Sequence, residues 1–353
     1  MKKQAPNSAQ HHSLWLTSLI LSLTFQATPV LAGEAQDLLG KAYASYQQEQ
    51  WDSAISQLEQ AIVSYPRYAE AHHLLSLIHS QQGRWDQTIQ HLQKAIEAYP
   101  AFAQAHLDLG YAYQQKGQPQ EAAAAFQAAL KLYPSYLESR IALASLYDQI
   151  QDAANAIQAH QQVLKLVPRQ ADSLYGMAFW LVNQGKLKEA QPYLDRLLVE
   201  APSHVNGWIM AGSISQQQNR RDPAIEAYQR AVALKTDLVE PYFNLGILHQ
   251  QNGESAKAAE AFENVIRLDP NNPEAHINLG VVYAAMAKVD QAEQEYLTAL
   301  QLNPSLPDCH FNLGLLYEFH RNAPQKALKY YQEYVNLGGQ DGRIIKLLER
   351  TKS

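Results

Sequence analysis

The chain has 353 residues, with 34 acidic against 28 basic side chains and a formal net charge of -6, which argues against the basic surface that nucleic-acid phosphates require. A single cysteine, Cys309, rules out an intrachain disulfide and a cysteine-rich metal site. The hydrophobic share of 46% can bury a sizeable core, and the abundance of Ala and Gln favours helix.

Taken in chain order, the first element is a leader. No charged residue occurs between Lys3 and Glu34, and the apolar run Leu14 to Phe25 follows the basic start Lys2-Lys3. The small-residue site Val30-Leu31-Ala32 comes next, so residues 1–32 have the layout of a secretory signal peptide cut after Ala32. The alternative is an uncleaved membrane anchor through residues 14–32. The apolar run is short for a span, and Gln26 and Pro29 interrupt it.

From residue 33 to 340 the chain repeats itself. Pro66, Pro100, Pro134, Pro168 and Pro202 are spaced by 34 residues, and the series resumes at Pro270 and Pro304 after Thr236 takes one turn. Nine repeats follow: 35–68, 69–102, 103–136, 137–170, 171–204, 205–238, 239–272, 273–306 and 307–340. Position 8 of each is small: Ala42, Ser76, Gly110, Ala144, Ala178, Gly212, Gly246, Gly280 and Gly314. Position 20 is Ala or Thr88 throughout, with Ala327 one residue late, which places a single insertion near Asn322–Pro324. Position 24 is bulky, except that repeat 4 has His160 there.

This pattern predicts two antiparallel helices per repeat. Small residues at positions 8 and 20 allow close backbone approach, bulky residues at 24 fill the space between neighbours, and the proline ends the second helix. One pair cannot bury both its faces, so the repeats must stack. After Gly338-Gly339, the amphipathic stretch Arg343 to Arg350 predicts a capping helix within 341–353.

Repeat 7 shows the pattern most fully: Pro241-Tyr242-Phe243-Asn244-Leu245-Gly246, then Ala258, Phe262 and Pro270. In this it resembles the tetratricopeptide repeat family, and the resemblance extends over all nine repeats. It implies an all-α, right-handed superhelical solenoid of antiparallel helix pairs, with a concave groove lined by the first helix of each repeat.

No catalytic constellation is present. There is no Gly-x-Ser-x-Gly, phosphate-binding loop or His-Glu-x-x-His, and the repeats leave no segment for a catalytic domain. The chain therefore reads as a non-enzyme without cofactor or metal. His72, His73 and His79 form the one tempting local group; adjacent residues diverge around a helix, so packing roles are expected. Cys309 reads as a structural thiol.

Partner binding is expected in the groove. Position 6 of the last three repeats is Asn244, Asn278 and Asn312, and a carboxamide both donates to and accepts from a peptide bond. The row is similar to the asparagine ladder in the repeat domain of the O-linked N-acetylglucosamine transferase. Phe243 and Phe311 at position 5 are candidate anchors beside it. Position 13 carries a second amide row, from Gln47 to Gln251, that fits a polar helix end. Position 2 is often acidic (Glu70, Glu138, Asp172, Glu240, Glu274, Asp308), which suits the helix dipole and favours neutral or basic ligands. Chaperone-linked members of the family grip a C-terminal carboxylate with paired basic residues; positions 2 and 6 have none here.

The leading expectation is an exported scaffold that holds protein or peptide partners in its groove, with assembly of an envelope or membrane complex as a setting the family resemblance suggests. The partners exclude nucleic acid and small-molecule substrates, and membrane contact arises only through an uncleaved leader. The alternatives are a non-catalytic, substrate-presenting subunit of an enzyme complex and a self-associating structural protein. The compartment (periplasm, lumen or secreted) stays open.

Overall fold

The computed structural model describes residues 29–352, with side chains for 33–351; most of the leader expectation therefore lies outside the described residues. The chain divides into two compact units, Met1–Pro168 and Arg169–Ser353. The N-terminal unit holds four helix pairs: α1 (Pro29–Gln47) with α2 (Trp51–Ser64), α3 (Ala69–Gln81) with α4 (Trp85–Ala98), α5 (Ala103–Gln115) with α6 (Pro119–Leu132), and α7 (Leu137–Gln149) with α8 (Ala153–Leu166). The C-terminal unit holds five: α9 (Ala171–Asn183) with α10 (Leu187–Glu200), α11 (Val205–Gln217) with α12 (Arg221–Leu234), α13 (Val239–Gln251) with α14 (Ser255–Leu268), α15 (Pro273–Ala285) with α16 (Val289–Leu302), and α17 (Pro307–Phe319) with α18 (Pro324–Asn336). A last helix, α19 (Gly342–Lys352), follows. Within each unit consecutive helices pack together, and no strand occurs among the described residues.

The small position 8 has a specific partner, position 24 of its own repeat. Position 24 was expected to fill space between neighbours; its ring instead lies on position 8 of its own repeat. A Cβ added at Gly246 would come within 2.6 Å of the Phe262 ring, and one at Gly280 within 2.6 Å of Tyr296. Gly110 with Phe126, Gly212 with Tyr228 and Gly314 with Tyr331 are built alike. Where position 8 keeps a Cβ, as at Ala42, Ser76, Ala144 and Ala178, position 24 is Leu58, Leu92, His160 and Leu194. The two positions therefore exchange volume, ring for methyl, within a close-packed interior.

His160 fits the same scheme. It is buried, and its Nε2 meets Asp148 at 3.0 Å, at position 12 of the same repeat. The hydroxyls of Tyr228 and Tyr331 reach the same place, donating to Gln216 at 3.1 Å and to Glu318.

The prolines mark helix ends as expected. Tyr65, ahead of Pro66, has φ -143° and ψ 89°, outside the helical region that a following proline disfavours. At Pro66, Pro100, Pro134, Pro202, Pro270 and Pro304 the proline carbonyl also receives a bond that the sequence did not suggest. The side chain at position 4 of the next repeat donates to it six residues on: His106 to Pro100 at 3.1 Å, Arg140 to Pro134 at 3.1 Å, Trp208 to Pro202 at 2.8 Å and His310 to Pro304 at 3.0 Å.

Turns within repeats are three residues long, except His320–Ala323 in repeat 9, which contains the expected insertion. Ala327 and Tyr331 consequently occupy positions 20 and 24 and are buried. Each three-residue turn has one residue at positive φ, among them Gly83 at 69° and Ala287 at 55°. The cap is in place: Gly338 at φ 93° turns the chain, α19 buries Ile344 and Leu348 in the core, and Arg343 binds Glu318 at 3.0 Å.

Candidate interaction face

In α13, α15 and α17, positions 2, 6 and 9 follow the i, i+4, i+7 spacing of a single helix face. The face reads Glu240, Asn244, Ile247; Glu274, Asn278, Val281; and Asp308, Asn312, Leu315. The carboxylates are exposed, the three amides half-buried, and the aliphatic residues partly buried against the core of the C-terminal unit. The carboxylates occupy first turns, where the helix dipole holds them.

The amides differ among themselves. Asn278 donates Nδ2–H to its own Glu274 carbonyl at 2.9 Å, which leaves its Oδ1 to accept. Asn244 and Asn312 form no hydrogen bond with described residues, so both donor and acceptor are available. Phe243 and Phe311 lie at the flank. Phe243 meets the buried Phe262 edge-on, with centroids 5.7 Å apart, and Phe311 lies 5.2 Å from Tyr334. Both rings are partly buried in the same core cluster, so each is committed to joining its first helix to its second.

The five first helices of this unit, α9, α11, α13, α15 and α17, contain no Lys or Arg. They carry Asp172, Glu240, Glu274, Asp308 and Glu318. Glu318 is held below the usual carboxylate range: burial opposes this, but hydrogen bonds from Tyr331 and Arg343 outweigh it. The remaining four, Asp172, Glu240, Glu274 and Asp308, have no Lys or Arg on their own helices.

In the N-terminal unit, position 6 is Gly40, Leu74, Asp108 and Ala142. Asp108 is buried and fully engaged. His73 Nε2 lies 2.7 Å from its Oδ2, Gln104 donates to Oδ1 at 3.0 Å, and Tyr136 in turn donates to Gln104 at 2.6 Å. This polar cluster satisfies its own members and presents no amide row. The position-13 glutamines end their helices, as at Gln81, Gln115 and Gln149.

Cys309 is fully buried, and its thiol donates to the Tyr296 carbonyl at 3.1 Å. Burial, and then Asp308, push its pKa up to about 12, so the reactive thiolate is suppressed. Among the described residues, no three His, Cys, Asp or Glu side chains are arranged to hold a metal, and no helix is long and apolar enough to cross a membrane.

Three family models match the chain. A model described as tetratricopeptide repeat matches residues 39–105, 74–136, 107–173, 243–307 and 283–342; a second so described matches 172–204, and a TPR repeat model matches 212–253. No curated protein matches the chain. Among solved structures, the C-terminal part of a TPR repeat-containing protein from Cytophaga hutchinsonii is 16% identical with a TM-score of 0.59, over 68% of this chain and 99% of that one. PilF of Pseudomonas aeruginosa is 17% identical with a TM-score of 0.50, over 60% and 96%. YrrB, described as a TPR protein with an unusual peptide-binding site, is 24% identical with a TM-score of 0.49, over 53% and 96%. With the helix pairs, the 34-residue grid and the family models in agreement, the chain belongs to the tetratricopeptide repeat family.

Proposed function

We propose that this chain is a protein-binding scaffold, and that the face formed by α13, α15 and α17 holds an extended segment of its partner. The observation that carries this reading is the row Asn244, Asn278 and Asn312: three half-buried amides at equal sequence spacing, two of them without internal hydrogen bonds. Groups that both donate and accept match a peptide backbone whatever its side chains. The flanking Glu240, Glu274 and Asp308 favour neutral or basic side chains, and Ile247, Val281 and Leu315 offer apolar contact.

Panning a random peptide library against the whole chain tests this. Enriched sequences should combine apolar with Lys or Arg residues, and their affinity should fall as salt rises. Enrichment of acidic sequences, or of none, would contradict the reading.

The setting is export, carried by residues 1–32 as a cleaved leader. This is supported by the basic start, the apolar run and the small-residue site. N-terminal sequencing of the protein from its native cells should begin at Gly33; a chain beginning at Met1 would favour the anchored alternative.

A further inference from the structure

Repeats 2 and 8 carry a histidine at the same place in their first helices, His72 and His276. Each Nε2 lies 3.3 Å from the carbonyl of the preceding proline, Pro66 and Pro270. An N–H donated there leaves Nδ1 as the second nitrogen of each ring. In repeat 8, Nδ1 faces Glu295 Oε2 at 2.6 Å. A proton added at that nitrogen becomes part of a charge-assisted bond.

Repeat 2 has His91 where repeat 8 has Glu295. Its Nδ1 lies 3.1 Å from His72 Nδ1, so one ring donates and the other accepts. His79, two turns along α3, stacks on His91 with centroids 5.3 Å apart, and its own Nδ1 is buried without a partner. Three imidazoles thus share one seam between α3 and α4.

The charged surroundings do not favour cations. Arg84 acts on His79, and Lys94 acts on His72 and His91, both as like charges. The carboxylates of the seam's own helices are Glu70, Asp86 and Glu97. On the adjoining helices, α1 has Glu34, Asp37 and Lys41, α2 has Asp52 and Glu59, and α5 has His106 and Asp108. None of these groups bonds to His72, His79 or His91. Asp108 is taken by His73, Asp86 by Lys116, and His106 by Pro100.

We propose that repeat 2 is an acid-triggered opening point of the N-terminal unit, where protonation of the His72–His79–His91 seam separates α3 from α4 while the equivalent seam of repeat 8 stays closed. A second proton on His72 removes the acceptor of the only bond between the rings and sets two N–H groups against each other. A second proton on His79 buries an N–H that has no acceptor.

The titration runs in the same direction. Burial lowers the pKa of all three rings, and His91, pressed further by His72, His79 and Lys94, falls to about 4. The unfolded chain takes up protons near pH 6.5, where the folded seam resists them. The seam's contribution to stability is therefore complete above pH 6.5 and is lost progressively as the pH falls toward 4.

Hydrogen exchange of the whole chain at pH 7 and pH 5, corrected for the intrinsic pH dependence of exchange, reads this directly. Protection of α3–α4 should fall by roughly tenfold or more relative to α15–α16. His91→Glu, which copies repeat 8, should abolish that loss, and Glu295→His should transfer it to α15–α16. His91→Gln keeps the test available if the Glu variant does not fold at pH 7, and should shrink the loss. Equal acid response of α3–α4 and α15–α16 in the parent, or an unchanged response in the His91 variants, would overturn the proposal.

Discussion

The N-terminal and C-terminal units follow one 34-residue grid but fill it differently. In the C-terminal unit four of five repeats set a glycine against an aromatic ring, from Gly212 with Tyr228 to Gly314 with Tyr331. In the N-terminal unit three of four set Ala or Ser against Leu or His, and only Gly110 with Phe126 follows the other scheme. Position 6 diverges in parallel, with a buried, satisfied Asp108 in one unit and a row of half-buried amides in the other. Positions 8, 20 and 24 fix the helix pairs in both units, so they do not distinguish a proposed binding face from its counterpart. That difference resides in residues the fold leaves free.

The volume exchange between positions 8 and 24 is the sharpest place to break the comparison. Gly246→Ala should destabilise the C-terminal unit by about 1–3 kcal/mol, because the new methyl overlaps the Phe262 ring. Adding Phe262→Leu, which makes this repeat resemble repeat 5, should recover part of that loss. Thermal or urea unfolding measures both, and equal stability of the single and double variants would refute the coupling.

A smaller effect is expected in the turns. Gly83, Gly117, Gly185 and Gly253 take the left-handed conformation without strain, whereas Ala287 adopts φ 55° with a Cβ. Ala287→Gly should stabilise the protein by about 0.5–1 kcal/mol, and a loss of stability would show that this turn is held by contacts the backbone argument ignores.

Much of this was legible in the sequence. The prolines, the small positions 8 and 20 and the late Ala327 predicted the helix pairs and the longer turn of repeat 9. The pairing of glycine with rings was equally visible in the residues. It is masked because close approach of positions 8 and 20 already accounts for a small residue at position 8. His160 looked exceptional for the same reason: its partner Asp148 is twelve residues back, at a position that carries no consensus. The bonds from position 4 to the proline carbonyls were harder to see, since His, Arg and Trp share only an N–H donor. At the candidate face, the sequence supplied the amide row and its acidic border. It did not supply the back-bonding of Asn278 or the commitment of Phe243 and Phe311 to the core, both of which depend on side-chain direction.

The central claim is that the amide row of the C-terminal unit binds and the equivalent face of the N-terminal unit does not. The most direct measurement is the affinity of a panned peptide for the parent, for Asn244→Ala with Asn278→Ala and Asn312→Ala, and for Glu70→Gln with Glu138→Gln, all checked for unchanged helicity. We expect the amide variant to bind at least about tenfold more weakly, a loss of roughly 1.4 kcal/mol, with the N-terminal variant close to the parent. Unchanged binding by the amide variant, or an equal loss in the N-terminal one, would contradict the account.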